Sequence, residues 1–204
     1  MELSVSATVV ASLIALPIGL LVGHTRRGEV ITVQIANLGR AVPSIAILSL
    51  AFFVAVYLFP SFAFGFLPTL VALTFLGIPP ILVNTYVGIQ GVDQDTVEAA
   101  RGMGMSGRQV LARLEIPLAM PLIMTGLRLA AVTIVATAAL SALIAGGTLG
   151  RYIVDGIAQQ DIPQVVGGSI LIALLAILTD LVFSLLRRVT APQLSSSPRG
   201  RRGA

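Results

Sequence analysis

The chain contains no cysteine and no tryptophan, and His24 is its single histidine. Without cysteine there is no disulfide framework and no thiolate metal site, and one histidine does not build a histidine-based metal site alone. Lysine is also absent, so all thirteen basic residues are arginine. A Walker A loop requires a lysine that reaches the β- and γ-phosphates. The chain by itself is therefore not a P-loop ATPase.

Charge is scarce and apolar residues dominate. Only 11% of the 204 residues are charged, 56% are hydrophobic, and the mean hydropathy is +0.97. A soluble domain has about 25% charged residues. The composition therefore predicts a membrane protein, and we expect an all-α, polytopic helix bundle.

Runs of about 20 apolar residues are long enough to cross a hydrocarbon core of about 30 Å as helices. Five such runs occur, at Leu3 to Gly23, Val42 to Phe59, Phe66 to Ile89, Leu118 to Ala145 and Val165 to Leu186. The sequence thus predicts about five transmembrane helices within a transmembrane domain of residues 1–190. The first run has Glu2 before it and basic residues after it, the reverse of a signal peptide, so we expect it to be a retained span.

Arginine is distributed unevenly between the loops. The segments 24–41, 90–117 and 187–204 together contain eleven arginines, whereas 60–65 and 146–164 contain one, Arg151. Since positively charged short loops stay in the cytoplasm, this pattern predicts an external N-terminus and a cytoplasmic C-terminus. The segment 191–204 is rich in Ser, Pro, Gly and Arg, and we expect a disordered basic tail close to anionic headgroups.

Two predicted spans contain polar features. In the third, the pair Pro79-Pro80 lies mid-span and is followed by Asn84 and Thr85. These residues fit a kinked, water-lined pathway and fit equally well hydrogen bonds from Asn84 and Thr85 to neighbouring helices.

Two isolated charges, Arg128 and Asp180, fall in the inner halves of the fourth and fifth predicted spans. An ion pair or shared polar network between them is one hypothesis. The other is that Arg128 extends to the cytoplasmic interface while Asp180 faces a wet crevice.

The segment 91–121 forms a long cytoplasmic loop. Asp95 and Glu98 have the spacing of a helix start, which predicts a short helix from near Thr96 with Glu98 in its first turn. Gly102 or Gly104 would then supply a left-handed stop.

A second short helix is predicted after these glycines. Ser106 and Gln109 repeat the capping pattern, and apolar residues continue through Leu114. We expect this helix to end at Pro117, because proline lacks the amide donor and disfavours helix in the residue before it.

The stretch Gly102-Met103-Gly104-Met105-Ser106-Gly107 matches the G-x-G-x-x-G pattern of dinucleotide-binding loops. That fingerprint must follow a buried strand and open a long helix, with an acidic residue about 20 residues later. Here the stretch separates two short predicted helices, and no acidic residue follows at that distance. The glycines therefore indicate a sharp turn and not a nucleotide site.

The whole loop resembles a known motif. Glu98-Ala99-Ala100, three residues, Gly104, nine residues, then Leu114-Glu115-Ile116-Pro117 is similar to the EAA loop of permease subunits in binding-protein-dependent ABC importers. The family pattern ends in Ile-x-Leu-Pro, and the exchange of Leu and Ile keeps apolar size. The flanking stretches 42–44, 84–88 and 126–132 resemble the osmoprotectant branch, whose substrates include glycine betaine, carnitine, choline and proline.

The resemblance implies a MetI-like permease core without catalytic residues or a metal site of its own. It implies that Glu98, Ala99, Ala100, Gly104, Leu114, Ile116 and Pro117 form a coupling element for a separate ABC ATP-binding subunit, which binds ATP and Mg²⁺. It further implies a second permease chain, identical or paralogous, an extracytoplasmic substrate-binding protein, and a place in the cell membrane among its lipids, with no nucleic-acid partner. Residues Arg151 to Gln160 look like a short outer helix that could meet the binding protein, and an ordinary surface loop fits them equally well.

Alternatives remain open at this point. An ion-gradient-driven secondary transporter could use Asp180 as its proton or Na⁺ carrier. An ABC permease for another small polar solute, such as an amino acid, fits the same motif. Aromatic cages usually hold quaternary ammonium ligands, yet Tyr57, Tyr86 and Tyr152 are the only tyrosines, which suggests that an external protein sets the specificity.

Overall fold

The structure, a computed structural model, describes residues 1–26, 34, 39, 41–58, 66–144 and 147–190. Every regular element in these ranges is helical. In chain order they are α1 (Glu2–Thr25), α2 (Ser44–Leu58), α3 (Phe66–Gln90), α4 (Gln94–Gly102), α5 (Gly107–Val110), a π-helical turn (Leu111–Glu115), α6 (Ile116–Ala138), a 3₁₀ segment (Ala139–Ile144), α7 (Gly150–Ala158) and α8 (Ile162–Thr190). The expected basic tail, 191–204, lies outside the described residues.

Four helical stretches have the length and hydropathy of membrane spans: Glu2–Thr25, Phe66–Gln90, Gly107–Leu143 and Ile162–Arg187. The second predicted span is realised as α2, which is apolar but has only 15 residues. At 1.5 Å per residue it extends about 22 Å, less than the hydrocarbon thickness of about 30 Å. The expected all-α membrane bundle is thus confirmed, with four long helices and a shorter fifth in the described residues.

Helix α3 lies at the centre of the bundle, between α1 and α6. A buried cluster of small and branched side chains joins the three helices: Ala11, Ala15, Ile81, Leu82 and Ala130. Since lipid tails are as apolar as these side chains, association inside a bilayer depends on close van der Waals packing, which small residues permit.

Two glycines mark close approaches of α1 and α6 to α3. A Cβ atom at Gly19 of α1 would lie 2.8 Å from Thr85 Cβ. A Cβ atom at Gly126 of α6 would lie 2.8 Å from Asn84 Cβ and 2.9 Å from the Pro80 carbonyl oxygen. Any larger side chain at these positions would push the helices apart.

Helix α8 lies at the side of the bundle, against α6 and α7. Most of its large apolar side chains are exposed, among them Leu174, Ile177 and Leu181. In a membrane such a surface contacts lipid or another chain and carries no hydration cost. The predicted outer helix within Arg151 to Gln160 is present as α7.

The expectation that Pro117 ends the second loop helix is wrong. The helix continues from Gly107 to Leu143, and Pro117 lies in the first turn of α6. Proline cannot donate to the carbonyl four residues earlier. The π-helical turn Leu111–Glu115 ends two residues before Pro117. Such a turn inserts one extra residue and changes the hydrogen-bond register.

The tight packing at Gly126 predicts a matched pair of outcomes. Gly126→Ala should lower the thermal unfolding midpoint of the purified protein, because overpacking against backbone costs about 1 to 3 kcal/mol. Gly167→Ala is the control, since that glycine is also within a membrane helix but has no atom within 4 Å of an added Cβ. Its midpoint should be unchanged or higher, because alanine has the better helix propensity. Equal midpoints for the two variants would contradict the packing argument.

Candidate functional site

The residues between α3 and α6 form a helical hairpin, which we define as the 92–115 hairpin. Its own small core consists of Val92, Val97, Ala100 and Val110, with Met105 and Leu114 partly buried beside them. Val97 and Ala100 lie one turn apart and so face the same side of α4. The hairpin is therefore held together by its own apolar contacts.

Helix α4 begins two residues earlier than the sequence suggested. Its N-cap is Asp93 and not Asp95, and the hydroxyl of Thr96 donates to Asp93 Oδ2 at 2.9 Å. Asp95 instead occupies the first turn, where a carboxylate favours the positive end of the helix. Glu98 consequently lies in the second turn, so the expected Asp95–Glu98 cap is wrong.

Gly104 forms the turn between α4 and α5. Its φ of +89° lies in the left-handed region, where glycine has no Cβ penalty. The amide of Gly104 donates to the Arg101 carbonyl at 2.9 Å, and the amide of Met105 donates to the Ala100 carbonyl at 3.2 Å. Of the two glycines proposed as the stop, Gly104 is the one with positive φ.

The predicted second cap is confirmed. The backbone amide of Ser106 donates to Gln109 Oε1 at 2.8 Å, as a capping box requires. This bond starts α5 directly after the turn. Both ends of the turn are therefore fixed by local hydrogen bonds.

The exposed face of α4 presents Glu98, Ala99 and Arg101, and Met103 follows with 79% of its surface accessible. Ala100 lies on the opposite face, 4% exposed, so its small size serves the packing of α4 on Val110. Sequence reasoning did not single out Met103, although an isolated methionine between two glycines of a polar loop was the available signal. Methionine adapts to varied surfaces and suits a docking contact.

The other three residues of the expected coupling element lie where the hairpin joins the bundle. Leu114 packs against the hairpin core, and Ile116 packs against a second cluster that includes Ile89 and Ala119. Pro117 is exposed. The motif thus spans both the free end of the hairpin and its junction with α6.

A polar contact that sequence reasoning missed connects α1 to this junction. Nδ1 of His24 lies 2.5 Å from Oε2 of Glu115, across 91 residues of sequence. Glu115 is buried, with 4% of its surface exposed. The signal in the sequence was the charge of Glu115 directly after the apolar residue Leu114, but nothing identified His24 as its partner.

Arg128 and Asp180 form the ion pair that was one of the two hypotheses. Nε of Arg128 donates to Oδ1 at 2.5 Å and an NH2 hydrogen donates to Oδ2 at 2.6 Å, a bidentate geometry. The pair joins α6 to α8. About a third of each side chain is exposed, so the pair lies at the surface of the single chain.

Within the described ranges, Asn84 and Thr85 make no side-chain hydrogen bond to a neighbouring helix. The amide of Asn84 donates to the Pro80 carbonyl of its own helix at 2.7 Å. The hydroxyl of Thr85 is buried at the contact with Gly19 and has no hydrogen-bond partner among the residues that the structure describes. Their place in a transport pathway stays a prediction.

No group of three or more His, Asp or Glu side chains within the described ranges could hold a metal ion. A crevice of about 410 Å³ opens between α1, α6 and α8 and is lined by Thr8, Ser12, Leu16, Pro17, Leu127 and Phe183, among others. The hydroxyls of Thr8 and Ser12 already donate to carbonyls of α1, at 2.7 and 2.6 Å. The crevice wall is therefore essentially apolar.

The ion pair predicts a charge-swap rescue. Arg128→Asp or Asp180→Arg alone places two like charges in contact within a membrane span and should lower both the thermal midpoint and transport activity. The double variant Arg128→Asp with Asp180→Arg should recover a large part of both, because an attractive pair is restored. If the double variant has no higher thermal midpoint and no higher transport activity than either single variant, the ion pair contributes to neither property.

Comparison with known proteins identifies the family. The family model described as "binding-protein-dependent transport system inner membrane component" matches residues 15–196. A glycine betaine/carnitine/choline transport system permease protein of Bacillus subtilis is 35% identical over 94% of this chain and 85% of its own length. An osmoprotectant import permease protein of Salmonella typhimurium is 33% identical over 89% of this chain and 75% of its own length.

The structure is also similar to a solved importer. A chain of the MetNI methionine ABC transporter, in an inward-facing conformation, superimposes with a TM-score of 0.81 at 22% identity, over 94% of this chain and 92% of that one. At this identity the likeness establishes the fold alone. The expected MetI-like core is thereby confirmed, and with the match over residues 15–196 the chain belongs to the inner membrane components of binding-protein-dependent transport systems.

Proposed function

We propose that this chain is the permease subunit of an ATP-driven importer for a small osmoprotectant of the glycine betaine, carnitine, choline or proline class. ATP and Mg²⁺ would be bound by a separate ABC ATP-binding subunit, and this chain would contribute no catalytic residue. The observation that carries the proposal is the exposed 92–115 hairpin, which joins two membrane spans in a member of this transport family.

The hairpin has the properties of a docking element. Its apolar core residues are buried against one another within the hairpin, so its exposed residues are free to contact a partner. Glu98 and Arg101 offer charges of both signs, and Met103 offers an adaptable apolar side chain. Ala99 and the turn at Gly104 let a partner surface approach the backbone closely.

A second permease chain completes the assembly in this proposal. The four long helices and one short apolar helix among the described residues are too few to enclose a hydrophilic path, and the crevice between α1, α6 and α8 is apolar. The Arg128–Asp180 pair at the chain surface would then face the partner permease or the path between the two chains.

The relatives support the substrate class, and the aromatic residues bear on where specificity resides. The named relatives are permeases of glycine betaine, carnitine, choline and osmoprotectant systems. The chain has no tryptophan, Tyr86 is buried in the bundle and Tyr57 is 86% exposed, so it lacks an obvious aromatic cage in the described residues. Specificity would therefore reside in an extracytoplasmic substrate-binding protein, which we place at the side of α7.

The proposed orientation is N-terminus outside and C-terminus cytoplasmic. The uneven distribution of arginine supports it. The His24–Glu115 contact supports it as well, because it brings the basic end of α1 to the same side as the hairpin. This is the side on which an ATP-binding subunit must dock.

The bidentate pairing of Asp180 disfavours the alternative of an ion-driven secondary transporter. A carboxylate that carries protons or Na⁺ must exchange its ligand in each cycle, whereas Asp180 is engaged by both oxygens. An ABC permease for another small polar solute is distinguished by the uptake experiment below.

The turn predicts a matched pair of glycine variants. Gly104→Ala should weaken retention of the ATP-binding subunit during co-purification and reduce ATP-driven uptake, since an L-residue in the left-handed region costs about 1 to 2 kcal/mol. Gly102→Ala should retain the subunit, because Gly102 has equally open surroundings but no positive φ. Two variants with equal retention would contradict the role given to the Gly104 conformation.

The substrate class predicts a selective uptake profile. The chain should be reconstituted in proteoliposomes with the ATP-binding subunit and the binding protein that the proposal requires, and uptake of labelled glycine betaine, carnitine, choline, proline and methionine measured. ATP-dependent uptake of one or more of the first four, without methionine uptake, is expected. Uptake of an amino acid such as methionine alone would assign another solute, and uptake persisting without ATP would favour the secondary transporter.

A further inference from the structure

The last turn of α1 lies across the 92–115 hairpin. His24 contacts Glu115 at the end of the hairpin, and the guanidinium of Arg26 lies against the side-chain amide of Gln94, the first residue of α4. A Cβ atom on Gly107 would be 3.5 Å from Nε2 of His24. The imidazole therefore lies between the start of α5 and the end of the π-helical turn, so α1 meets both arms of the hairpin.

Glu115 depends on His24 for its polar contact in the described structure. The carboxylate is buried, with 6% of its side chain exposed, and the imidazole of His24 is 18% exposed. A buried carboxylate without a partner loses its hydration without compensation, so this contact strongly favours the observed placement of α1. A pair with the same distance between its charged atoms, but exposed at the surface, would contribute far less free energy to the association of its helices.

Apart from the Arg26–Gln94 contact, the remaining contacts described between α1 and the hairpin are apolar. Leu20 joins an apolar cluster that also contains Leu111 and Ile116, next to the π-helical turn. Apolar contacts of this kind favour burial but specify neither an angle nor a register. A hydrogen bond at 2.5 Å specifies both, because its strength falls steeply as the geometry departs from linear.

We propose that the His24–Glu115 contact is a strut that fixes α1 to the 92–115 hairpin throughout the transport cycle. When an ATP-binding subunit moves the hairpin, α1 moves with it, and the membrane helices packed on α1 follow. His24 and Glu115 are positioning residues in this scheme and touch neither ATP nor the transported solute. The inference rests on the proposed function and adds the route by which motion of the hairpin reaches the N-terminal helix.

The first test measures substrate molecules transported per ATP hydrolysed by the reconstituted importer. His24→Ala and Glu115→Ala should each lower this ratio by about 3- to 10-fold, and the double variant should be no worse than either single variant, because mutations of two residues in contact are not additive. His24→Gln retains a donor for Glu115 and should recover most of the ratio. Thr25→Ala and Glu2→Gln are controls, since both residues are exposed on α1 and the Thr25 hydroxyl donates to the Leu21 carbonyl of its own helix.

A wild-type ratio in His24→Ala and Glu115→Ala would overturn the proposal. Equal losses in His24→Ala and His24→Gln would also overturn it, because a donor at position 24 would then have no effect. Additive losses in the double variant would show two independent roles and would overturn it as well.

A second test uses the natural absence of cysteine and does not require the alanine variants to assemble. In His24→Cys with Glu115→Cys, a short bifunctional thiol reagent replaces the side-chain contact by a covalent link. A strut that persists through the cycle predicts that cross-linking raises the transport ratio above that of the reduced double variant. Inhibition of transport by the link would mean that the contact must open, which contradicts the proposal.

A third readout separates this inference from the proposed substrate. A single cysteine at Ser6→Cys, near the other end of α1, is labelled with a thiol reagent in the complex with its ATP-binding subunit, without nucleotide and after trapping with ATP and vanadate. The labelling rate should change on trapping in the otherwise unaltered chain and should not change when His24→Ala is added. A change that survives His24→Ala overturns the strut, whatever solute the importer carries.

Discussion

The backbone of a membrane span has no water with which to form hydrogen bonds, and this constraint underlies the whole structure. Only a helix satisfies its own amides and carbonyls in that environment, which is why the described residues form a helical bundle. The same constraint acts at Pro117, where the helix continues through a π-helical turn. It also explains why Ser12 and Thr125 donate to carbonyls one turn earlier in their own helices, at 2.6 and 2.8 Å.

Because apolar burial provides little attraction between helices in lipid, the strength of helix association depends on how closely the helices pack. Gly19 and Gly126 allow α1 and α6 to approach α3 within van der Waals contact. Helix α3 thereby becomes the common support of the bundle, and the 92–115 hairpin follows it directly. The hairpin is thus placed by the most tightly packed part of the chain.

The features that local sequence controls were largely predictable. The membrane spans followed from runs of apolar residues, and the capping box at Ser106 and the turn at Gly104 followed from residue types with well-defined backbone preferences. The start of α4 was misplaced because Asp93 and Asp95 are both acceptable caps, and local spacing does not choose between them. The start of the second span was also misplaced, since α2 begins at Ser44, directly after Pro43, and proline disfavours helix in the residue before it.

Sequence by itself therefore determined the class of the protein, the approximate spans, the hairpin and its turn, because each depends on composition or on contacts within a few residues. Tertiary structure alone decided that Ala100 faces inward, that Arg128 meets Asp180, and that His24 meets Glu115. Those contacts join residues as far as 91 positions apart, and only the packing of α1, α6 and α8 around the bundle brings them within hydrogen-bond distance.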